Sequence, residues 1–70
     1  MTISEETETV PLVIQLHRTL LSLARREADA AADEAASVPY WAPVPASVSA
    51  RRTAAAALRS EAERVLGAAS

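Results

Sequence analysis

The sequence has no cysteine, no phenylalanine and no lysine, and it contains one glycine and one histidine. Without cysteine, disulfides and thiolate metal sites are excluded, and one histidine is too few for a structural zinc site within a chain. Thiol nucleophiles, histidine-based triads at usual spacings and glycine-rich phosphate loops are also missing. We therefore expect no enzymatic activity: no catalytic residue, no metal and no cofactor.

The cationic side chains are all arginine, and the net charge is −2. A dedicated nucleic-acid binder normally carries a basic stripe, so nucleic acid is not an expected partner. The acidic N-terminus (Glu5, Glu6, Glu8) lacks the basic and apolar regions of an export signal, and no apolar run is long enough to span a bilayer. We expect a cytoplasmic protein, and the alanine- and arginine-rich composition is typical of a small bacterial or phage protein.

A proline-rich segment divides the chain. Residues 38–45 hold three of the four prolines and both aromatic residues, Tyr40 and Trp41. Because proline lacks a backbone donor and disfavours helical geometry in the preceding residue, no continuous helix crosses this segment. The long alanine-rich stretches on either side favour helix. The sequence predicts an all-α fold, a two-helix hairpin with a proline-rich aromatic elbow.

The expected bounds follow from the helix signals. A helix over 10–36 places Pro11 in the first turn, where its missing donor costs nothing. A helix starting near a Thr2–Glu5 capping box would instead hold Pro11 inside it, at a cost of ~3 kcal/mol. An elbow over 37–45 and a second helix over 46–66 follow, with Gly67 as a left-handed cap. Residues 1–9 are expected to be a flexible acidic segment and 68–70 a tail, around a single domain over 10–67.

The charges indicate how the helices pair. Acidic residues crowd the end of the first helix, and Arg51 and Arg52 lie near the start of the second, each at the end that its charge disfavours. Folding the helices back antiparallel brings opposite charges together, with Arg51 near Asp33 or Glu34 and with Arg18 and Arg25 near Glu61 and Glu63. The hairpin can close within one chain or by exchange between two.

Apolar residues form two stripes on the first helix and one on the second. The main stripe of the first helix contains His17 and runs its whole length, and the stripe of the second helix is rich in alanine. One stripe cannot cover two, which leaves an exposed apolar patch uncommon on a soluble monomer. A chain of 70 residues also needs support beyond its own core. We predict a homodimeric four-helix bundle, with a tetramer as the alternative, whose interface is formed by Leu12, Leu16, Leu20 and Leu23.

Five other side chains are candidates for a role. His17 is interpreted as an edge residue of the interface with one locally bonded ring nitrogen; a pH-sensitive contact or a shared metal ligand is the alternative. Tyr40 and Trp41 either cover the alanine-rich end of the hairpin or present a docking segment to a partner. Arg51 lies on the apolar stripe and is expected to pair with an acidic residue or stack on Trp41, or to meet a partner with Arg52.

Together these patterns predict a non-catalytic helical module for protein–protein interaction, an adaptor, assembly factor or regulatory subunit. It self-associates through the first helix and binds another protein through the leucines or the elbow. The alternative is a small transcription-associated or DNA-binding regulator. Against it, this sequence lacks the short turn and the basic recognition helix of the helix-turn-helix motif. Peripheral membrane binding through the first helix is a third possibility, disfavoured by the acidic N-terminus.

Overall fold

Two helices pack against each other along their length in the computed structural model, which describes the backbone of residues 3–69 and the side chains of residues 11–68. Helix α1 spans Ile3–Ala36 and helix α2 spans Ala46–Ala69. The described chain is a rod of 64 × 16 × 12 Å and contains no strand. The expected all-helical hairpin is confirmed.

Helix α1 begins earlier than the sequence analysis predicted. It starts at Ile3 rather than at residue 10, so the expected flexible segment is helical from residue 3 and Pro11 lies inside the helix. The sequence places Glu5 and Glu6 in the first turn of this helix, and acidic residues are generally favourable at that end of a helix. The bounds show that the cost of an interior proline does not end α1 at this point.

Helix α2 also continues past its expected end at residue 66. Within the described residues no glycine has a positive φ, so Gly67 is helical rather than a left-handed cap. Ala68 and Ala69 follow it, and alanine is the residue with the highest helix propensity. A glycine inside a helix costs only about 1 kcal/mol relative to alanine, which is too little to end α2 here.

The connection between the helices is the non-helical segment 37–45. The Ser37 hydroxyl donates a hydrogen bond to the carbonyl of Glu34 at 2.8 Å, which satisfies one of the free carbonyls at the end of α1. At the first proline of the connection, the amide of Ala42 donates to the carbonyl of Pro39 at 2.9 Å, closing a β-turn. Tyr40 and Trp41 form the corner of that turn.

The core is a narrow seam of small residues between the helices. The fully buried side chains among the described residues recur every seven positions, which is the repeat of a two-helix coiled coil. These side chains are Ala24 and Ala31 of α1 and Val48, Ala55 and Ala62 of α2. Because four of the five are alanine, the two backbones can approach closely, but the seam removes little apolar surface from water.

Candidate functional site

One hydrogen bond between the helices marks their register. His17 precedes Ala24 by seven residues and therefore lies on the seam. Its Nδ1 is 2.8 Å from the carbonyl oxygen of Ala62, to which the protonated nitrogen donates. The bond is partly buried and crosses between helices, so the expectation of a locally bonded edge histidine is wrong. The imidazole of His17 fits on the seam because the small side chain of Ala62 leaves its backbone carbonyl accessible.

Arg51 defines one side of the hairpin. Its Nη1 lies 3.2 Å from Oε2 of Glu27, and its Nε lies 3.9 Å from Oε2 of Glu34. The hydroxyl of Ser47 also donates to the Glu34 carboxylate. The expected pairing with Glu34 is present, and Glu27 is a second partner that was not expected. Glu27 lies seven residues before Glu34, and this spacing was the available signal.

The number of residues between a side chain and the preceding seam position shows on which side of the hairpin that side chain lies. Arg51, Glu27 and Glu34 each follow a seam position by three residues, so residues with that offset lie on the same side of the hairpin. Residues that follow a seam position by four lie on the opposite side. Arg52 is rotated about 100° from Arg51 around α2, so the two side chains leave the helix on opposite sides of the hairpin and do not form one docking pair.

Leu16, Leu20 and Leu23, predicted to form the interface, lie on the Arg51 side, in the half of the hairpin away from the connection. Leu12 follows seam position 10 by two residues and lies at the border between that side and the outer surface of α1. Leu12, Leu16 and Leu23 are 63%, 48% and 39% exposed, and Leu20 is half-buried. On α2, Leu58 and Val65 have the same offset as Arg51 and are also half-buried. We call this surface the leucine face; its members are Leu12, Leu16, Leu20, Leu23, Leu58 and Val65.

Helix α1 extends past α2 at the open end. The bond from His17 to Ala62 aligns position 17 with position 62. Seven residues closer to the open end on each helix, position 10 of α1 is level with Ala69, the last residue of α2. Residues 3–9 therefore form an overhang of about two turns, or roughly 10 Å, with no helix of the same chain alongside.

The aromatic residues at the connection are exposed. Tyr40 is 99% exposed, Trp41 is 75% exposed and neighbouring Val44 is 60% exposed. The interpretation that the rings cover the alanine-rich end of the hairpin is therefore wrong, because the alanine seam closes without them. Their placement at the corner of a β-turn between prolines holds both rings outward.

At the open end, the expected ion pairs between helices do not form. Arg64 pairs with Glu61 within α2 at 3.1 Å. Among the described side chains, neither Arg18 nor Arg25 makes an ion pair with Glu61 or Glu63. Glu61 lies on the Arg51 side of α2, whereas both α1 arginines lie on the other side. Among the described side chains, the ion pairs between the helices therefore lie on the connection side of the hairpin, at Arg51.

No group of three histidine, aspartate or glutamate side chains in the described part of the chain is arranged to hold a metal ion. Neither α1 nor α2, over the described residues 3–69, is long and apolar enough to cross a membrane. Comparison of the chain with protein-family models, curated proteins and solved structures gives no match.

Proposed function

We propose that this chain is a non-catalytic helical interaction module that self-associates through the leucine face. The observation that carries the proposal is the exposure of Leu12, Leu16 and Leu23 on one flank of α1. Large apolar side chains exposed together mark interaction surfaces rather than ordinary protein surface. The class of function is an adaptor, assembly factor or regulatory subunit.

The thin core supports self-association. Four buried alanines and one valine contribute only about 5 kcal/mol of transfer free energy. The exposed fractions of Leu12, Leu16 and Leu23 together equal one and a half leucine side chains. Burying them against a second copy would contribute about 3 kcal/mol per chain. For a domain whose own stability is expected to be about 3–5 kcal/mol, this is a large supplement.

Two copies can meet on their leucine faces with opposite orientations. In that arrangement the open halves overlap and form a four-helix bundle, and the clusters of Glu27, Glu34 and Arg51 lie at opposite ends. Parallel copies would place the two clusters side by side, and each cluster carries a net negative charge. The overhang of α1, over residues 3–9, could then lie along the second copy.

Self-association is tested by placing charge on the leucine face. Leu16→Glu with Leu20→Glu is expected to convert the assembly to monomer, because two carboxylates per chain would be desolvated in the interface. The matched control is Gln15→Glu with Ser22→Glu, which adds the same charge at two exposed positions of α1 that follow the seam by five residues, away from the leucine face. Light scattering coupled to size-exclusion chromatography measures the mass. An unchanged mass for the leucine-face variant, or dissociation of both variants, would contradict the proposal.

A second part of the proposal is that Tyr40 and Trp41 dock to another protein. Their exposure supports this role, and the flanking prolines reduce the entropy lost when the segment is bound. Trp41 is the only tryptophan, so its fluorescence reports directly on this segment. A shift of its emission to shorter wavelength on addition of a partner is expected, and an unchanged spectrum during binding would place the contact elsewhere.

The alternative function, a DNA-binding regulator, has less support. Arg51, which the sequence analysis considered as a contact, is engaged by Glu27 and Glu34. The connection of nine residues is longer than the turn of the helix-turn-helix motif. Steeply salt-dependent binding of duplex DNA, lost on Arg51→Ala with Arg52→Ala, would favour this alternative.

A further inference from the structure

Four arginines gather on the side of the hairpin opposite the leucine face. Arg18 and Arg25 belong to α1, and Arg52 and Arg59 belong to α2. All four are exposed, and none makes a side-chain hydrogen bond or ion pair with any described residue. We call this surface the arginine face.

The heptad repeat places these arginines together. Arg18 and Arg25 each follow a seam position of α1 by one residue, and Arg52 and Arg59 each follow a seam position of α2 by four. Within each helix the two arginines are seven residues apart, which is about 10 Å along the axis. The register marked at His17 brings the four charges into the same stretch of the rod.

The arginine face is basic although the whole chain is acidic. Among the described residues, two carboxylates border this face: Glu63 follows a seam position by one residue, and Asp29 lies one helical turn from Arg25. Asp33 lies on the outer surface of α1, and Glu27 and Glu34 lie on the opposite side with Arg51. Four positive charges and two negative charges leave this face at +2, against −2 for the chain.

Apolar side chains accompany the charges. Ile14 and Leu21 follow α1 seam positions by four residues, beside the groove between the helices, and each is 37% exposed. Leu66 is 45% exposed and has the matching position on α2. The face thus combines half-exposed aliphatic side chains with arginines at heptad spacing, which is the pattern a coiled-coil helix presents to its partner.

We propose that the arginine face binds an acidic amphipathic helix of another protein, which packs as a third helix in this groove. Aliphatic residues of the partner would cover Ile14, Leu21 and Leu66, and its glutamates or aspartates would pair with the four arginines. Arginine is suited to this contact because its planar guanidinium binds a carboxylate with two parallel hydrogen bonds.

Two other occupants fit this face less well. A nucleic-acid backbone offers no apolar surface for Ile14, Leu21 and Leu66, and the acidic remainder of the chain would repel it. The leucine face of a second copy is also a poor match, because its Glu27 and Glu34 already pair with Arg51. Carboxylates at heptad spacing on a partner helix match both the charge and the apolar positions.

The test uses two synthetic peptides of three heptads, both with isoleucine and leucine at the apolar positions. One carries glutamate at the flanking positions and the other carries lysine. Titration calorimetry with the full chain is expected to show binding of the glutamate peptide alone, weakening as salt is added. Absence of binding by the glutamate peptide, or equal binding of both, would overturn the proposal.

A pair of charge-matched variants locates the contact. Arg25→Gln with Arg52→Gln removes two charges from the arginine face and is expected to weaken glutamate-peptide binding about tenfold. Arg26→Gln with Arg64→Gln removes two charges from the outer surfaces and is expected to leave it within about twofold. Equal weakening by both variants would overturn the assignment, as would binding of a 20-base-pair DNA duplex in preference to the glutamate peptide.

Discussion

Shortening Leu16 should weaken self-association far more than shortening a leucine of equal exposure on the other side. Leu16 is 48% exposed in the single chain, so burying the remainder in a dimer contributes about 1 kcal/mol per copy. Both copies lose this contribution in Leu16→Ala, so the dimer loses about 2 kcal/mol and its dissociation constant rises roughly 30-fold. Alanine preserves the helix because its helix propensity exceeds that of leucine.

The control for this prediction is Leu66→Ala. Leu66 is 45% exposed, close to the value for Leu16, but it lies on the arginine face. Its shortening is expected to change the dissociation constant by less than about threefold, since that surface is outside the leucine interface. Sedimentation velocity over a dilution series measures both variants. Equal weakening by the two substitutions would refute the assignment of the leucine face, and so would an unchanged constant for Leu16→Ala.

The other predictions concern the hairpin itself, measured by urea denaturation. Ala55→Leu should destabilise the fold by about 1–3 kcal/mol because it forces the seam apart, whereas Ala57→Leu on the outer surface should change stability little. Gly67→Ala should stabilise the fold by up to about 1 kcal/mol, because Gly67 is helical and an added Cβ meets nothing within 4 Å. A loss of stability would instead indicate that Gly67 is a left-handed cap. His17→Ala should cost about 1–2 kcal/mol through loss of the bond to the Ala62 carbonyl, and a neutral result would remove His17 as the register contact.

The hairpin could be predicted from sequence because its signals are local and agree with one another. Alanine repeats every seven residues on both helices, prolines interrupt helix between them, and opposite charges meet across the connection. The pairing of Arg51 with Glu34 followed from the same pattern. These features require only helical periodicity and the direction of the chain.

The differences arise where competing contributions of similar size decide the outcome. At the start of α1, an interior proline disfavours the helix while acidic residues in the first turn favour it. At the end of α2, a glycine disfavours the helix while the two alanines that follow favour it. The exposure of Trp41 depends on how little space the closed seam leaves, which periodicity does not give. The separation of Arg51 from Arg52 required the centre of the seam, which became known from the burial of Val48, Ala55 and Ala62.

Sedimentation equilibrium of the unaltered chain over a wide concentration range tests the central claim most directly. The mass of one chain is 7.4 kDa. The leucine face predicts a reversible association whose mass approaches twice that value as concentration rises. A mass that remains that of one chain, with full helical signal at every concentration, would contradict self-association and leave the leucine face for a different protein.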